Sequence, residues 1–235
     1  MNIIDLAILA VLAVFILSGI YRSFLPTVMS LAANIISWAS GMIFMPIVSR
    51  LVTGNQAIFN MLLYYTEGSE FIGDVELAKT AVTDITPARL TGIINSSSLP
   101  YPFSKEILEN INNRAFEASG GLTLGDYYNQ TIVCVVINIL SFLLIFFILR
   151  IILGFIIEGI DYSVRLPELA QLNKTVSAGF GLLNGIGILF MVFMLLPIVL
   201  IVFNFDFVHG LVDNSFFAPI FYNANQLIAL IPGTC

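Results

Sequence analysis

The sequence predicts an all-α, polytopic membrane protein with four transmembrane helices and a helical extracytoplasmic insert. Hydrophobic residues make up 58% of the chain and charged residues 10%, and the mean hydropathy of +0.97 exceeds what a soluble domain can bury. Four apolar blocks are each long enough to cross about 30 Å of hydrocarbon at about 1.5 Å per residue. They are apolar on every side, whereas the strands of a transmembrane β-barrel alternate polar and apolar residues.

The four blocks begin and end at positions that can be read from the sequence. Asn2 and Asp5 precede the first block with the spacing of a capping box, in which each side chain binds a free backbone N–H. Because no Lys or Arg precedes this block and no small-residue cleavage site follows it, we predict a retained helix, not a cleaved signal peptide. Thr123 and Asp126 give a similar start before the third block. The blocks are Ile3–Ile20, Leu25–Val48, Ile132–Leu149 (with an extension past Arg150 to Ile157) and Val176–Phe203.

The distribution of basic residues predicts the orientation, because short cytoplasmic loops carry most Lys and Arg. Arg22 lies between the first two helices, and Arg150, Arg165 and Lys174 are assigned to the connection between the last two. The N-terminus has no basic side chain, and the chain after Phe203 has no Lys or Arg. We therefore expect both termini, and the segment between the second and third helices, on the outer, non-cytoplasmic side of the membrane.

The predicted domain organisation has four parts. Residues 1–50 form the first transmembrane hairpin and residues 131–205 the second. Residues 51–130 form the insert, which has four basic and nine acidic residues, helical periodicity and Gly/Ser/Pro-rich linkers. Its acidic surface argues against nucleic acid as a partner. Residues 206–235 form an aromatic-rich tail, for which an interfacial position and a re-entrant dip packed against the bundle both remain open.

The sequence contains no convergent set of catalytic groups, so we expect no enzyme activity, no metal and no cofactor. His209 is the only histidine, which excludes a two-histidine zinc motif. Cys134 is in the middle of a helix and Cys235 is the last residue, and they are interpreted as a pair that forms no disulfide framework. Asp126 stands at a helix start, where it serves as a cap.

Small and neutral polar residues lie within the predicted spans. Ser177, Gly181 and Gly185 recur every fourth position and form a groove that allows close approach of another helix. Two interpretations of the intramembrane amides are open: interhelical packing, which we prefer, or a polar pathway for a solute. The preference rests on the expectation that no ionisable side chain lies near the middle of a span. The amides are Asn34, Asn138 and Asn184.

Two segments carry a resemblance to a known family. The opening NIIDLAILAVLAVFILSGIYRSFLPTVMSLAANI resembles the start of the colicin V production protein (CvpA) family, with Asp5 in the N-x-x-D beginning and Gly19 and Arg22 in the turn. The segment LNKTVSAGFGLLNG is similar to a second family motif, and the residues that carry this similarity are Leu172, Asn173, Lys174, Gly181 and Gly185. Ser23, Ser177 and Asn184 differ from the family pattern.

The resemblance implies a four-helix bacterial inner-membrane protein linked to colicin V production or export and to envelope robustness. The expected partners are the lipid bilayer and other membrane or envelope proteins, or a second copy of the chain. The predicted function is therefore non-enzymatic support of toxin or peptide production or export and of envelope maintenance. An oligomeric small-solute transporter or channel is the alternative.

Overall fold

A computed structural model describes residues 2–22, 24–163, 174–203 and 206–235. The described part of the chain is helical and has no β-strand; a single β-bridge joins Ala81 to Thr123. Among these described residues, four helices are long and apolar enough to cross a membrane, and the predicted all-α polytopic fold class is thereby confirmed. The α-helices are α1 (Ile3–Tyr21), α2 (Phe24–Thr53), α3 (Gln56–Tyr65), α4 (Val75–Ala78), α5 (Pro87–Ser96), α6 (Phe103–Asn112), α7 (Leu124–Ser163), α8 (Lys174–Phe193), α9 (Leu196–Val202), α10 (Asp206–Asp213) and α11 (Ala218–Asn223).

The chain forms two compact units. Unit 1 contains Met1–Met45, Phe142–Leu195 and Asp206–Asn225. Unit 2 contains Pro46–Ser141, Leu196–Phe205 and Gln226–Cys235. The helices α2 and α7 each contribute their two ends to different units.

Unit 1 has the dimensions of a membrane bundle. Its helix α1 has 19 residues and α8 has 20, and the parts of α2 and α7 that belong to unit 1, residues 24–45 and 142–163, are of similar length. Segments of about 20 residues match the thickness of the hydrocarbon core. At the start of α1 the capping box is present: the Asn2 side chain accepts from the Asp5 backbone N–H, and the Asp5 side chain accepts from that of Asn2.

The helix α7 changes its surroundings along its length. In unit 2, the consecutive residues 131–139 are all buried. In unit 1, large apolar side chains of α7 are exposed, including those of Ile151 (58%) and Phe155 (71%). The apolar run of the sequence therefore has two causes, burial in the core of unit 2 and, further along, an exposed apolar surface suited to lipid. The exposed apolar surface of α7 thus lies mostly after residue 142, beyond the first part of the predicted third span, which is residues 132–149.

Unit 2 has an apolar core with α7 at its centre. Phe103 and Ile107 of α6 and Leu124 and Ile132 of α7 are fully buried. The first turn of α7 is capped by Thr123, whose Oγ1 accepts from the backbone N–H of Asp126. Because a Cβ on Gly68 would lie 3.0 Å from backbone atoms of Tyr128, the chain can pass close to α7 at this point.

A disulfide joins Cys134 of α7 to Cys235, across a sequence separation of 101 residues. The interpretation that the two cysteines form no disulfide was therefore wrong. Their separation in the sequence carried no signal, because only folding brings Cys235 next to the first third of α7, where Cys134 lies. The Cα–Cα distance of 5.2 Å lies within the usual range for a disulfide.

Candidate functional site

The small-residue groove of α8 faces α1 in unit 1. A Cβ on Gly181 would lie 3.2 Å from the Cα of Gly19 and closer still to the carbonyl oxygen of Phe15. A Cβ on Gly19 would in turn meet the carbonyl oxygen of Ser177, and one on Gly185 would lie 3.0 Å from the Cβ of Phe15. Since backbone touches backbone, no larger residue fits without separating the two helices. The structure thus brings Gly19 together with Ser177, Gly181 and Gly185.

The basic residues of the two family motifs lie at one end of the unit 1 helices. Arg22 follows α1 and its guanidinium is 3.3 Å from the Glu158 carboxylate of α7. Both side chains are about half exposed or more, so the ion pair adds little stability. Lys174 is the first residue of α8 and is exposed. Asn173, and with it Arg165, lies outside the described residues.

Asp5, at the start of α1, binds the tail of unit 1. Its side chain is fully buried, and Oδ1 accepts from the Ser215 hydroxyl at 2.6 Å and from the backbone N–H groups of Phe216 and Phe217 at 2.9 and 3.0 Å. Its Oδ2 accepts from the backbone N–H of Asn2 at 2.9 Å. Four donors therefore compensate the burial of one carboxylate.

The same tail packs against α8 through aromatic rings. Phe221 of α11 contacts Phe190 and Phe193, with ring centroids 5.4 and 5.6 Å apart, and the Asn225 amide donates to the Phe190 carbonyl at 2.8 Å. Phe207 and Phe216 remain exposed. In unit 1 the tail thus forms two short helices that contact both α1 and α8. These contacts are compatible with both an interfacial and a re-entrant position.

A cluster of polar side chains joins three helices in the interior of unit 1. The Arg150 guanidinium of α7 donates to Asn34 Oδ1 at 2.5 Å and to the Ser30 hydroxyl at 2.6 Å, both on α2. The Asn34 amide donates to Asn184 Oδ1 of α8 at 2.8 Å, and Asn184 donates to the Thr27 carbonyl at 3.2 Å. We call these five residues the polar cluster. These hydrogen bonds link α2 to both α7 and α8.

The polar cluster lies close to the middle of the unit 1 segments. Asn34 is about ten residues, or ~15 Å, from either end of residues 24–45 of α2. Asn184 has a similar position in α8, and Arg150 is within a few residues of the middle of residues 142–163. The assignment of Arg150 to the connection between two helices was therefore wrong, because α7 continues to Ser163.

The position of Arg150 also overturns the expectation that the middle of the spans has no ionisable side chain. In the middle of a hydrocarbon core, a charged side chain costs about 2.5–3.5 kcal/mol on insertion scales, and such residues are candidates for function. Here the hydrogen-bond acceptors of Arg150 are neutral, and within the described residues it has no acidic partner at ion-pair distance. The arrangement can stabilise the guanidinium through neutral acceptors and couple the positions of three helices.

Sequence reasoning found Asn34 and Asn184 but missed Thr27, Ser30 and Arg150. Two signals were available. Ser30 follows Thr27 by three residues and Asn34 follows Ser30 by four, and these spacings place the three side chains on one face of a helix. Arg150 interrupts an apolar run that resumes immediately after it, as expected for a side chain inside a span.

Asn138 is in unit 2 and has no part in the polar cluster. Its amide donates to the carbonyls of Pro232 and Thr234, each at 2.9 Å, and so binds the end of the chain. Of the three amides named in the sequence analysis, Asn34 and Asn184 thus belong to the polar cluster of unit 1, and Asn138 binds the last residues in unit 2. Among the residues that the structure describes, no group of three or more His, Cys, Asp or Glu is arranged to hold a metal ion.

Comparison with known families adds one finding. Residues 119–226 match the family model described as Colicin V production protein, and this is the family that the two sequence motifs resemble. The matched stretch includes all of α7 and α8, and with them Arg150, Asn184 and the small-residue groove. The first motif, with Asp5, Gly19 and Arg22, precedes it. No curated protein and no solved structure matches the chain.

Proposed function

We propose that the protein is a non-enzymatic component of a bacterial cytoplasmic membrane that supports peptide or toxin production or export and envelope maintenance by holding partners together. The coarse part of this proposal rests on the colicin V production family match of residues 119–226. The observation that carries the scaffold role is the polar cluster of unit 1. Its amides bind one another and the protein backbone, so they act as interhelical contacts.

The disulfide supports an extracytoplasmic position for unit 2. Disulfides persist in oxidising compartments such as the bacterial periplasm and are rare in the cytosol. Cys134 and Cys235 both belong to unit 2, while Arg22 and Lys174 belong to unit 1 and stand at helix ends suited to the cytoplasmic surface. Both arguments favour the same orientation, with both termini outside.

The surface of unit 2 offers chemistry suited to a protein partner. The segment between α3 and α4, together with α4 itself, presents exposed carboxylates, and the neighbouring helix α3 presents exposed apolar side chains. A basic and partly apolar polypeptide complements such a surface, whereas anionic lipid headgroups and nucleic acids are repelled. The carboxylates are those of Glu67, Glu70, Asp74 and Glu76.

Cysteine accessibility in intact cells tests the orientation. The two native cysteines are joined in a disulfide, so an introduced cysteine is the main reactive thiol. Thr91→Cys on α5 should react with a membrane-impermeant thiol reagent, and Thr175→Cys on α8 should react only after the cells are opened; both positions are exposed. The reverse labelling pattern would overturn the proposed orientation.

Crosslinking and gene loss test the scaffold role. Deletion of the gene should sensitise cells to envelope stress or impair peptide export, and crosslinked pull-down from native membranes should recover envelope or export proteins. Asn34→Leu, Asn138→Leu and Asn184→Leu should lower function only in proportion to the amount of folded protein. A variant that is abundant and folded yet inactive would argue against a role in which the bundle only holds partners.

The second candidate function is solute transport by an oligomer, and the observation that favours it is the charged Arg150 in the middle of α7. A conducting protein should pass a small anion when purified and placed in liposomes. Arg150→Gln should then reduce this flux, while Arg114→Gln in unit 2, which removes an exposed arginine, should leave it unchanged. Absence of flux with a panel of small anions would favour the scaffold.

A further inference from the structure

We propose that the Cys134–Cys235 disulfide of unit 2 is a thiol–disulfide exchange site, which accepts the thiolate of a dithiol through a neighbouring cavity. The chemistry concerns a pair of reduced cysteines or a small dithiol as the reacting molecule. It does not depend on the scaffold or transport roles discussed above.

The first observation is a cavity that leads to the disulfide. Its volume is about 460 Å³, and both Cys134 and Cys235 line it. One part of the lining is apolar, with Phe59, Leu63 and Phe116. Another is polar and comes from successive turns of one face of α7. A cavity of this size admits a side chain of a bound polypeptide or a small thiol, with an apolar wall for its carbon atoms.

The second observation is that the two cysteine residues differ in exposure. Cys134 is 4% exposed within α7, whereas Cys235 is an exposed residue at the end of the chain. Exchange requires that a thiolate reach one sulfur while the other sulfur leaves. The incoming thiolate therefore attacks Cys235, and Cys134 is the leaving group.

The third observation is a set of contacts, here called the tail clamp, that holds residues 226–235 independently of the disulfide. Asn138 donates to the carbonyls of Pro232 and Thr234, and Asn110 donates to the Gly233 carbonyl at 2.9 Å. Ile228 and Ile231 are at most 1% exposed. Gly233 has no room for a side chain, because a Cβ there would lie 2.7 Å from the Asn110 amide nitrogen. After reduction the clamp keeps Cys235 near Cys134, so the pair can form again.

The exchange is balanced in atoms and electrons. A thiolate of the dithiol attacks Cys235 Sγ, the Cys134–Cys235 bond breaks, and the Cys134 thiolate takes up a proton. The second thiolate of the dithiol then attacks the dithiol's own sulfur in the mixed disulfide. The bond from that sulfur to Cys235 breaks, and the released Cys235 thiolate takes up a proton. The dithiol loses two electrons and becomes a disulfide, and the cysteine pair of the protein gains them.

The test measures reduction of the disulfide in folded, detergent-solubilised full-length protein. Dithiothreitol and reduced thioredoxin are the two probes, at equal thiol concentration and without denaturant. We expect complete reduction within minutes by at least one of them. A faster rate with thioredoxin identifies a protein-borne dithiol as the preferred reactant, and a faster rate with dithiothreitol identifies a small one. A disulfide that resists both probes until urea is added would overturn the proposal.

A matched pair of variants tests the cavity. Leu63→Trp fills the cavity and should slow reduction at least tenfold, whereas Met61→Trp, on the same helix but outside the cavity lining, should change the rate less than twofold. If Leu63→Trp does not fold, Thr53→Trp fills the same cavity from α2. Equal rates for the filled and control variants would show that the thiolate does not enter through the cavity and would overturn the proposal.

The tail clamp has its own readout, which a merely structural disulfide would not share. After reduction and removal of the dithiol, a small disulfide oxidant should restore the bond several-fold more slowly in Asn138→Leu than in the wild type. Asn112→Leu, which changes an exposed amide of α6, should behave like the wild type. Equal rates in all three proteins would contradict the role assigned to the clamp in the exchange.

Discussion

The two halves of α7 have similar apolar residues and different surroundings. Residues 124–141 form the centre of unit 2 and are buried almost throughout, whereas residues 142–163 belong to unit 1 and expose many Leu, Ile and Phe side chains. Polar side chains show the reverse distribution. In unit 1, Arg150 is hydrogen-bonded to a neighbouring helix, whereas the carboxylates of unit 2 are mostly exposed. Hydropathy therefore does not tell a helix buried in a protein core from one exposed to lipid.

The two units also differ in how each holds its part of the C-terminal segment, which is residues 206–225 in unit 1 and 226–235 in unit 2. In unit 1, the buried Asp5 carboxylate accepts charge-assisted hydrogen bonds from the Ser215 hydroxyl and from the backbone N–H groups of Phe216 and Phe217. In unit 2, neutral amides and buried isoleucines bind the last residues, and a covalent bond completes the attachment. Loss of one hydrogen bond should consequently matter more in unit 1 than in unit 2.

The largest expected effect is at the α1–α8 contact of unit 1. Gly181→Leu would push against the backbone of α1, and we expect a loss of stability of at least about 3 kcal/mol, the upper part of the overpacking range, with little folded protein recovered. Gly179→Leu is the matched control, because a Cβ there meets nothing within 4 Å. Accumulation in membranes and size-exclusion profile provide the measurement. Equal tolerance of both leucines would remove the packing argument.

A smaller effect should distinguish the two halves of α7 directly. Val135→Ser in unit 2 removes two methyl groups from a site with no exposure and buries a hydroxyl, which should cost about 2–4 kcal/mol. Ile151→Ser in unit 1 changes an exposed side chain, and the hydroxyl can bind its own helix, so the cost should stay below about 1 kcal/mol. Thermal unfolding in detergent compares the two. Similar costs at both positions would contradict the assignment of the lipid-exposed surface to unit 1.

The smallest expected difference concerns the amides of the two units. Asn34→Leu removes an acceptor from the Arg150 guanidinium and a donor from Asn184, so we expect a loss of about 2–3 kcal/mol. Asn138→Leu removes hydrogen bonds to a tail that the disulfide still attaches, and should cost only about 1 kcal/mol. Chemical unfolding under non-reducing conditions measures both. In Asn138→Leu, added reductant should widen the loss, whereas Asn34→Leu should respond to reductant no more than the wild type does.

Part of the candidate site was predictable because it depends on local sequence. The spacing of Ser177, Gly181 and Gly185 identifies one helix face, and a face of small residues has few uses other than close helix packing. The partner of that face was not predictable. Gly19 was assigned to a turn motif, and only the structure shows that its backbone meets the backbone of Gly181.

The polar cluster shows the same limit for charge. Arg150 stands between two apolar runs, and the sequence analysis ended the main apolar block at Leu149 and assigned the arginine to the connection between the last two spans, although it extended the block to Ile157. The correct position depends on where unit 2 ends, since the apolar residues before Phe142 serve a protein core and not the hydrocarbon. That boundary is set by contacts between distant segments, which leave no periodic pattern in the chain.

By itself, the sequence determined the helical class, the number of helices able to cross a membrane, the capping box at Asn2 and Asp5, and the family of residues 119–226. Each of these follows from hydrophobicity, from backbone groups within one turn, or from a contiguous motif. Tertiary structure alone decided the Cys134–Cys235 disulfide, the attachment of the tail to Asp5 and the place of Arg150 among Ser30 and Asn34. The physical reason is that these contacts join residues about 100 or more positions apart, and only the packing of the helices brings them within bonding distance.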